Sequence, residues 1–189
     1  MRTLLIAGML FAGTVAGLAQ GMPPRRDVYT KKLAPFVASP QRIVDRMLEM
    51  AAIKPTDTVF DLGCGDGRIL LQAAQKYHAK AVGIEIDAKL VEMTSQRIAG
   101  MGLQNQVKVM QGNLLEADLS TADVVTIYLL TQSNEVLRPR LEKMLRPGTR
   151  VVSYDYSVPG WKPKKIDRTG ETQGGHVIYL YEMPPEKQQ

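Results

Sequence analysis

The chain is poor in the residues that staple or metallate proteins. Its 189 residues include one cysteine, Cys64, and two histidines, His78 and His176. A single cysteine excludes an intramolecular disulfide and leaves the redox compartment unmarked. Zinc takes three or four ligands, which one Cys and two His hardly supply, so no metal is expected. Aromatic residues are few, with one Trp, three Phe and seven Tyr. The basic residues are scattered and no stacked aromatic platform accompanies them, so no nucleic-acid footprint is expected. Internal repeats and low-complexity tracts are absent as well.

What remains is the composition of an ordinary globule, 44% hydrophobic and 23% charged, long enough for one domain with a substantial core. The net charge is +5, or +4 without the first 19 residues, where Arg2 is the only charged side chain. Lys162, Lys164 and Lys165 are the densest basic cluster and read as a solvated loop. Arg2 precedes an uncharged run from Leu4 to Ala19, and Gly17-Leu18-Ala19 supplies the small residues of a cleavage site. That run is shorter than the roughly 20 residues of a spanning helix. The expectation is a signal peptide over 1–19, cut near Ala19-Gln20, and an exported, periplasmic or extracytoplasmic protein. If it stays uncut, the segment is a membrane anchor.

The most informative stretch is Asp61-Leu62-Gly63-Cys64-Gly65-Asp66-Gly67-Arg68, between a strand-like run and a helical pattern. Glycines at alternate positions make a turn whose inner face carries no side chains, so a ligand can lie against the main chain. The free N–H groups of the following helix suit a carboxylate or phosphate. A dinucleotide fingerprint needs Gly-x-Gly-x-x-Gly, with a third glycine where Arg68 stands, so that reading fails. Asp61-x-Gly-x-Gly-x-Gly resembles instead the first motif of the class I methyltransferases that use S-adenosylmethionine. On that resemblance Asp61, Gly63, Cys64, Gly65 and Gly67 belong to the cofactor site. Taken by itself, Cys64 reads as a small packing residue.

Val59-Phe60 leads into the loop as a buried strand, and apolar residues recur at helical intervals from Ile69 to Tyr77. Lys80 to Glu85 reads as a second strand ending in an acid 24 residues after Asp61. An open α/β sheet places a carboxylate there against a ribose hydroxyl pair, so Glu85 is the expected ribose clamp. Asp87 reads as the N-cap of the next helix, which runs to about Met101. A third strand from Val107 to Met110 ends at Gly112-Asn113-Leu114. The methyltransferases usually carry Gly-Asp here, with the acid facing the adenine amino group. The Asn113 amide oxygen can accept from that group, and Leu114 can lie over the adenine edge. The alternative for Asn113 is a turn residue.

Ala122 to Leu130 reads as a central, doubly buried strand whose end lies beside the glycine loop. Many methyltransferases of planar nitrogens place Asp/Asn-Pro-Pro-Tyr/Phe here. This chain has Ile127-Tyr128-Leu129-Leu130, which argues against nucleobase amines. Ser133-Asn134-Glu135 is expected to cap a helix whose apolar face runs through Val136, Leu137, Leu141, Met144 and Leu145. Strands from Thr149 to Asp155 and from His176 to Met183 follow, and an antiparallel pair is expected there. The fold class is α/β: a Rossmann-like, doubly wound, seven-stranded, mostly parallel sheet with an antiparallel C-terminal strand.

Several blocks in order carry a closer resemblance: Pro35 to Pro40, Ile43 to Leu48, the glycine loop through Ile69, Tyr128-Leu129-Leu130, Leu145 to Ser153, and Gly160-Trp161. Together they are similar to the small seven-strand protein-lysine methyltransferases with archaeal and mitochondrial members. Two positions depart from that family: Ala38 stands where Pro is usual and Asn113 where Asp is usual. The resemblance implies an N-terminal segment and helix over 20–56 that cover the cofactor site, a methyltransferase domain over 57–183 and a polar tail over 184–189. It also implies transfer of a methyl group to a protein lysine, or another small amine, by in-line displacement; a monomer is expected. Tyr128 is the first candidate to face the amine, since a phenol accepts a hydrogen bond and its ring stabilises a cation. Asp155 is expected to orient the amine, and Phe36 and Trp161 to wall the acceptor channel. Two other readings stay open: a non-catalytic extracytoplasmic binding module that kept the fold, and a small-molecule or lipid methyltransferase at the membrane.

Overall fold

Unbroken apolar, β-branched runs become strands, and the longest-buried of them take the centre of the sheet. In the computed structural model, which describes residues 33–169 and 175–188, the sheet is built around two such runs. The expected leader lies outside the described residues. In chain order the elements are α1 (Gln41–Met50), β1 (Thr58–Leu62), α2 (Arg68–Tyr77), β2 (Lys80–Glu85), α3 (Ala88–Gly100), β3 (Val107–Gln111) and β4 (Val124–Ile127). They continue with α4 (Thr131–Met144), β5 (Arg150–Tyr154), β6 (Trp161–Lys162), β7 (Lys165–Thr169), β8 (His176–Glu182) and β9 (Glu186–Lys187).

Seven strands form one sheet in the order β3-β2-β1-β4-β5-β8-β7. The first five are parallel, and β8 runs antiparallel between β5 and β7. β1 and β4 sit at the centre and are almost wholly buried, as parallel strands covered on both faces must be. The chain leaves β1 toward β2 and β3, then returns to the other side of β1 as β4. That reversal opens a crevice at the carboxyl ends of the two strands. Leu62 pairs with Ile127, so the residues that follow each, Gly63 and Tyr128, emerge side by side at the crevice.

The two faces are covered differently. One packs α1, α2 and the Ile98 side of α3 against the sheet, through residues such as Ile43, Met47, Leu70 and Ala73. The other is closed by α4, through Leu137 and Leu141, and by the β3–β4 connection, through Leu114 and Leu119. An ion-paired clamp holds the amino ends: Arg150 donates to the carbonyls of Ala51 and Ala52 at 2.7 and 2.9 Å and meets Asp57 at 2.8 Å.

Two local expectations need correction, and a third, the antiparallel pair, is met by β5 and β8. α4 begins at Thr131 with Leu130 as an N-cap that makes no side-chain bond. Ser133 and Asn134 are instead drawn into tertiary contacts, and Val136 is 44% exposed, so it is not part of the apolar face. Lys162 and Lys165 lie in strands, not in a loop, although the cluster is solvated and Lys162 and Lys164 meet Glu186 and Glu182 across strand pairs. The closing antiparallel unit has a further strand, β7, because the polar segment Lys165–Thr169 alternates along an exposed sheet edge. Asp87 does cap α3, accepting from Lys89 N at 3.0 Å.

Candidate active site

The crevice at the carboxyl ends of β1 and β4 is a cavity lined by the glycine loop, by Glu85 and Ile86, by Gly112 to Leu114, by Tyr128 and Leu129, and by Leu33 to Ser39. Its floor is main chain. Gly63 N and Cys64 N donate to Ile84 O at 2.8 and 3.2 Å, which splices the loop onto the end of β2. Gly63 and Gly65 have φ of +83° and +53°, a region where a side chain is strained. A methyl group at Gly65 would also run into the Phe36 ring.

Glu85 holds the next layer. Its Oε2 accepts from Gly65 N at 2.9 Å, and its Oε1 accepts from Ile86 N and Asp87 N at 2.9 and 3.0 Å. The carboxylate is therefore buried, oriented and still part of the cavity wall. Thr94 Oγ1 donates to Gly65 O at 2.9 Å, so α3 also grips the loop. Asn113 lines the cavity and its Oδ1 accepts from Leu115 N at 3.0 Å, so the wall residue and the turn residue are the same. Cys64 lies under the loop with its sulfur against Gly83. Burial, followed by the nearby Asp61 and Glu85 charges, pushes its thiol far up, which removes any nucleophilic role at ordinary pH.

Asp61, the residue before the last of β1, is 4% exposed, with Oδ1 accepting from Thr126 Oγ1 at 2.7 Å. Burial pushes its pKa up to about 7; the Thr126 bond opposes this, and the Glu85 and Asp66 charges add to it. Asp66 goes the other way. Burial would raise it, but the Arg68 hydrogen bonds and charge, helped by Arg97, hold it below the usual carboxylate range. Arg68 does more than replace a glycine: while its Nε and Nη2 hold Asp66 at 2.9 and 2.6 Å, its Nη1 donates to Ser39 O at 2.5 Å. At the other end of the same segment, Ser133 Oγ donates to Leu33 O at 2.6 Å. Residues 33–39 thus form a strap pinned at both ends across the cavity, with Phe36 lying on Gly65 at its middle.

Most of the residues expected from the sequence meet in this one cavity: Asp61, Gly63, Cys64, Gly65, Glu85, Asn113, Leu114, Tyr128 and Phe36 all line it. Three do not. Gly67 turns away toward α3, where Thr94 packs against it, and its φ of +75° serves the entry into α2. Trp161 is fully buried in the core that α4 covers, edge-on to Tyr181 at 5.4 Å, with Nε1 donating to Glu142 at 2.7 Å. It is a core residue and not a channel wall, because the chain folds back at Gly160 and pairs β6 with β9. Asp155 lies beyond Tyr128, at the tip of β5, outside the cavity lining. Sequence reasoning missed the parts played by Thr94 and Arg68. For Thr94 there was a signal: a polar residue at a buried helical position.

The residues present fit S-adenosylmethionine. Glycines at positive φ leave a cradle that a Cβ would fill, and the acceptors Asp61, Glu85 and Asn113 match an amine, a ribose diol and an adenine amino group.

Comparison with known proteins agrees. Residues 61–165 match the family described as the ANTKMT methyltransferase domain. A protein-lysine N-methyltransferase of Saccharolobus islandicus (strain REY15A) is 43% identical over 154 residues, covering 81% of this chain and 96% of that protein. The adenine nucleotide translocase lysine N-methyltransferase of Mus musculus is 30% identical over 161 residues, covering 85% of this chain and 68% of its own. Among solved structures, an RNA methyltransferase from Salinibacter ruber in complex with S-adenosyl-L-homocysteine is 42% identical, with a TM-score of 0.75, covering 81% of this chain and 97% of that one.

Proposed function

The chain belongs to the ANTKMT methyltransferase domain family, and from that premise we propose that it methylates a lysine side-chain amine of a protein. It is an S-adenosylmethionine-dependent methyltransferase with S-adenosylmethionine as cofactor. The observation that carries the lysine reading is a cavity with two kinds of lining. The glycine loop, Asp61, Glu85 and Asn113 supply main chain and acceptors, and the Tyr128 phenol, just past β4 and beside Gly63, supplies a ring.

The cofactor supplies an electrophilic methyl group on a sulfonium. The chain's part is to align and to dry. Glu85 and Asn113 would hold the nucleoside, and Asp61 would meet the cationic amino-acid portion. The strap over 33–39 would exclude water, since Phe36 already covers the loop. Aligned reactants gain up to about 7–11 kcal/mol from position alone, so no strong general base is required. A lysine amine, with a usual pKa of about 10.4, must lose its proton before attack. An apolar entrance shaped by Phe36 and Leu129 favours the neutral form. Tyr128 would then face the nitrogen with a neutral phenol, because burial, followed by the Asp155 and Tyr156 charges, holds its pKa up.

RNA is a second reading, carried by the relative described as an RNA methyltransferase. The tip of β4 argues against it, since Tyr128-Leu129-Leu130 offers no side-chain amide or acid to hold a planar base amine. Incubation with methyl-labelled S-adenosylmethionine and a cell extract separates the two. Label that is sensitive to protease, resistant to nuclease and located on lysine by mass spectrometry is expected. Nuclease-sensitive label would overturn the protein reading, and cofactor binding without any transfer would favour the non-catalytic module. Label extracted with lipid would favour a membrane methyltransferase.

Export belongs to the same proposal, supported by Arg2 and the uncharged run that follows it. N-terminal sequencing of the mature protein is expected to begin at Gln20, whereas a start at Met1 in a membrane fraction would mean an anchor. We also propose that the chain acts as a monomer, which sedimentation would check.

A further inference from the structure

Beyond Tyr128 the chain does something costly for a residue with a side chain. Asp155, the first residue after β5, has φ of +58°. Such a conformation persists only where its surroundings enforce it, and it collects at functional sites. Here the enforcement is dense. Asp155 N donates to Val177 O at 2.7 Å and Tyr156 N to Tyr154 O at 2.7 Å. Ser153 Oγ donates to Tyr156 O, and the fully buried Asn134 donates from Nδ2 to Tyr156 O at 3.0 Å and to Ser157 O at 3.2 Å.

The outcome of that turn is a row of rings ending in a carboxylate. Tyr128 leans on Tyr154 with centroids 4.2 Å apart and stacks with Tyr156 at 6.4 Å and 25°. The Asp155 carboxylate accepts from Val177 N at 3.1 Å, and both its oxygens lie within 3.2 Å of His176 Nδ1. The Tyr154 hydroxyl is 2.8 Å from the same nitrogen. A ring nitrogen that faces two carboxylate oxygens carries its proton, so Nδ1–H is the tautomer that fits. Among the described residues His176 is the one ion-pair partner of Asp155, and the acid is 23% exposed. Burial and then the Asp155 charge push the Tyr154 hydroxyl up, as they do that of Tyr128, so both rings are neutral phenols at physiological pH.

We propose that Tyr156 joins Tyr128 and Asp155 in a vestibule that selects a cationic side chain, the lysine ammonium and its methylated forms, and that His176 is the positioning residue that aims the Asp155 carboxylate. This rests on the lysine reading above and names the groups that give the acceptor side its specificity. Ring faces beside a carboxylate attract an onium ion by both the ring quadrupole and the charge. A neutral nucleobase amine gains nothing from that charge. Methylated ammonium is less strongly hydrated and keeps its charge, so the rings favour it as the reaction proceeds. His176 acts on the acceptor through the carboxylate it aims: two residues on, Ile178 pairs with Tyr154 across the β5–β8 ladder, and that register carries His176 to the Asp155 turn.

The test uses n-butylammonium, the lysine side chain without its backbone, added to the full chain saturated with S-adenosylhomocysteine. Binding is read by saturation-transfer NMR, cofactor affinity by calorimetry and folding by thermal unfolding. The wild-type complex should bind the probe in the millimolar range. Asp155→Asn, which tolerates the same backbone, and Tyr156→Ala should each weaken it by about tenfold, while Tyr156→Phe stays within about twofold. His176→Ala should lose most of the effect of Asp155, and His176→Asn, whose Nδ2–H stands where Nδ1–H was, should restore it. S-adenosylhomocysteine affinity should hold in all of them. Equal probe binding by wild type, Asp155→Asn and Tyr156→Ala, or none by a wild type that holds S-adenosylhomocysteine, would overturn the vestibule and leave the methyltransferase reading standing. Failure of the wild type to bind S-adenosylhomocysteine would overturn both.

Discussion

The glycine loop and the neighbouring tips of β4 and β5 are built from different materials. At the glycine loop the structure is main chain held by main chain: Gly63, Cys64 and Gly67 donate to backbone carbonyls, and Glu85 gathers three backbone N–H groups. At the β4–β5 tips the groups presented are side chains, three tyrosines, an aspartate and a histidine, on a turn whose main chain the buried Asn134 holds. Positive φ falls on glycines at the loop and on Asp155 at the tips. A ligand that never changes can be read by backbone, which offers fixed directions and little room for variation. An acceptor is distinguished by side chains at strand tips, where substitution alters charge and shape without disturbing the sheet.

The largest break of that comparison is Glu85→Ala. Three N–H groups would lose their acceptor, at about 1–3 kcal/mol for each one left buried and unmet. Calorimetry should show cofactor affinity down by at least about 100-fold, with a lower melting temperature. Affinity within a few fold of wild type would show that the loop does not depend on Glu85.

Tyr128→Ala attacks the strand tips. Loss of the ring beside the acceptor should reduce kcat/KM by about 10- to 100-fold. Cofactor affinity should stay within about threefold in the same preparation. Parallel loss of both would mean that the two regions are not separable.

Arg68→Met loosens the strap that joins the two. The guanidinium is about a quarter exposed, so the loss of its bonds to Asp66 and Ser39 should cost only about 1 kcal/mol, seen as roughly fivefold weaker cofactor binding. Stopped-flow release should show the change in the off-rate.

The last test concerns pH. Asp61 has a pKa of about 7 in the folded protein, against 3.8 for an ordinary aspartate. The folded chain therefore holds a proton that the unfolded chain has already released. Stability without cofactor is greatest below the unfolded value, falls as pH rises from about 4 to about 7, and levels off above that. Asp61→Asn should flatten this slope. A cationic cofactor favours ionised Asp61, so affinity should rise several-fold from about pH 6 to about pH 8, with proton release visible as a buffer-dependent binding enthalpy. No dependence on buffer would place Asp61 away from the cofactor's charge.

Legibility followed the same division. The glycine loop, Glu85 and Asn113 could be read because each is a local pattern: a strand, a tight turn, a helix, with spacing imposed by one βα unit. Gly67 was assigned to the cofactor because alternation alone cannot tell which glycine faces the ligand and which admits Thr94. Trp161 was misplaced because an aromatic after Gly160 reads the same whichever face of the sheet it covers. Ser133 and Asn134 looked like caps because those residues cap helices, while here their side chains reach Leu33 and the Tyr156 turn instead.

By itself the sequence determined the parallel part of the sheet, its order of elements and the cofactor loop, since periodicity and turn chemistry act over a few residues. It also determined that the loop side of the cavity would be backbone. Only the tertiary structure decided what stands at the neighbouring strand tips. Tyr154 and His176 are 22 residues apart and touch because β8 runs antiparallel to β5 in one register. A shift of one residue would turn His176 to the opposite face, and no local signal fixes that register. The strap is equally non-local: Ser133 and Arg68 reach it from two helices that meet it only after the sheet has formed.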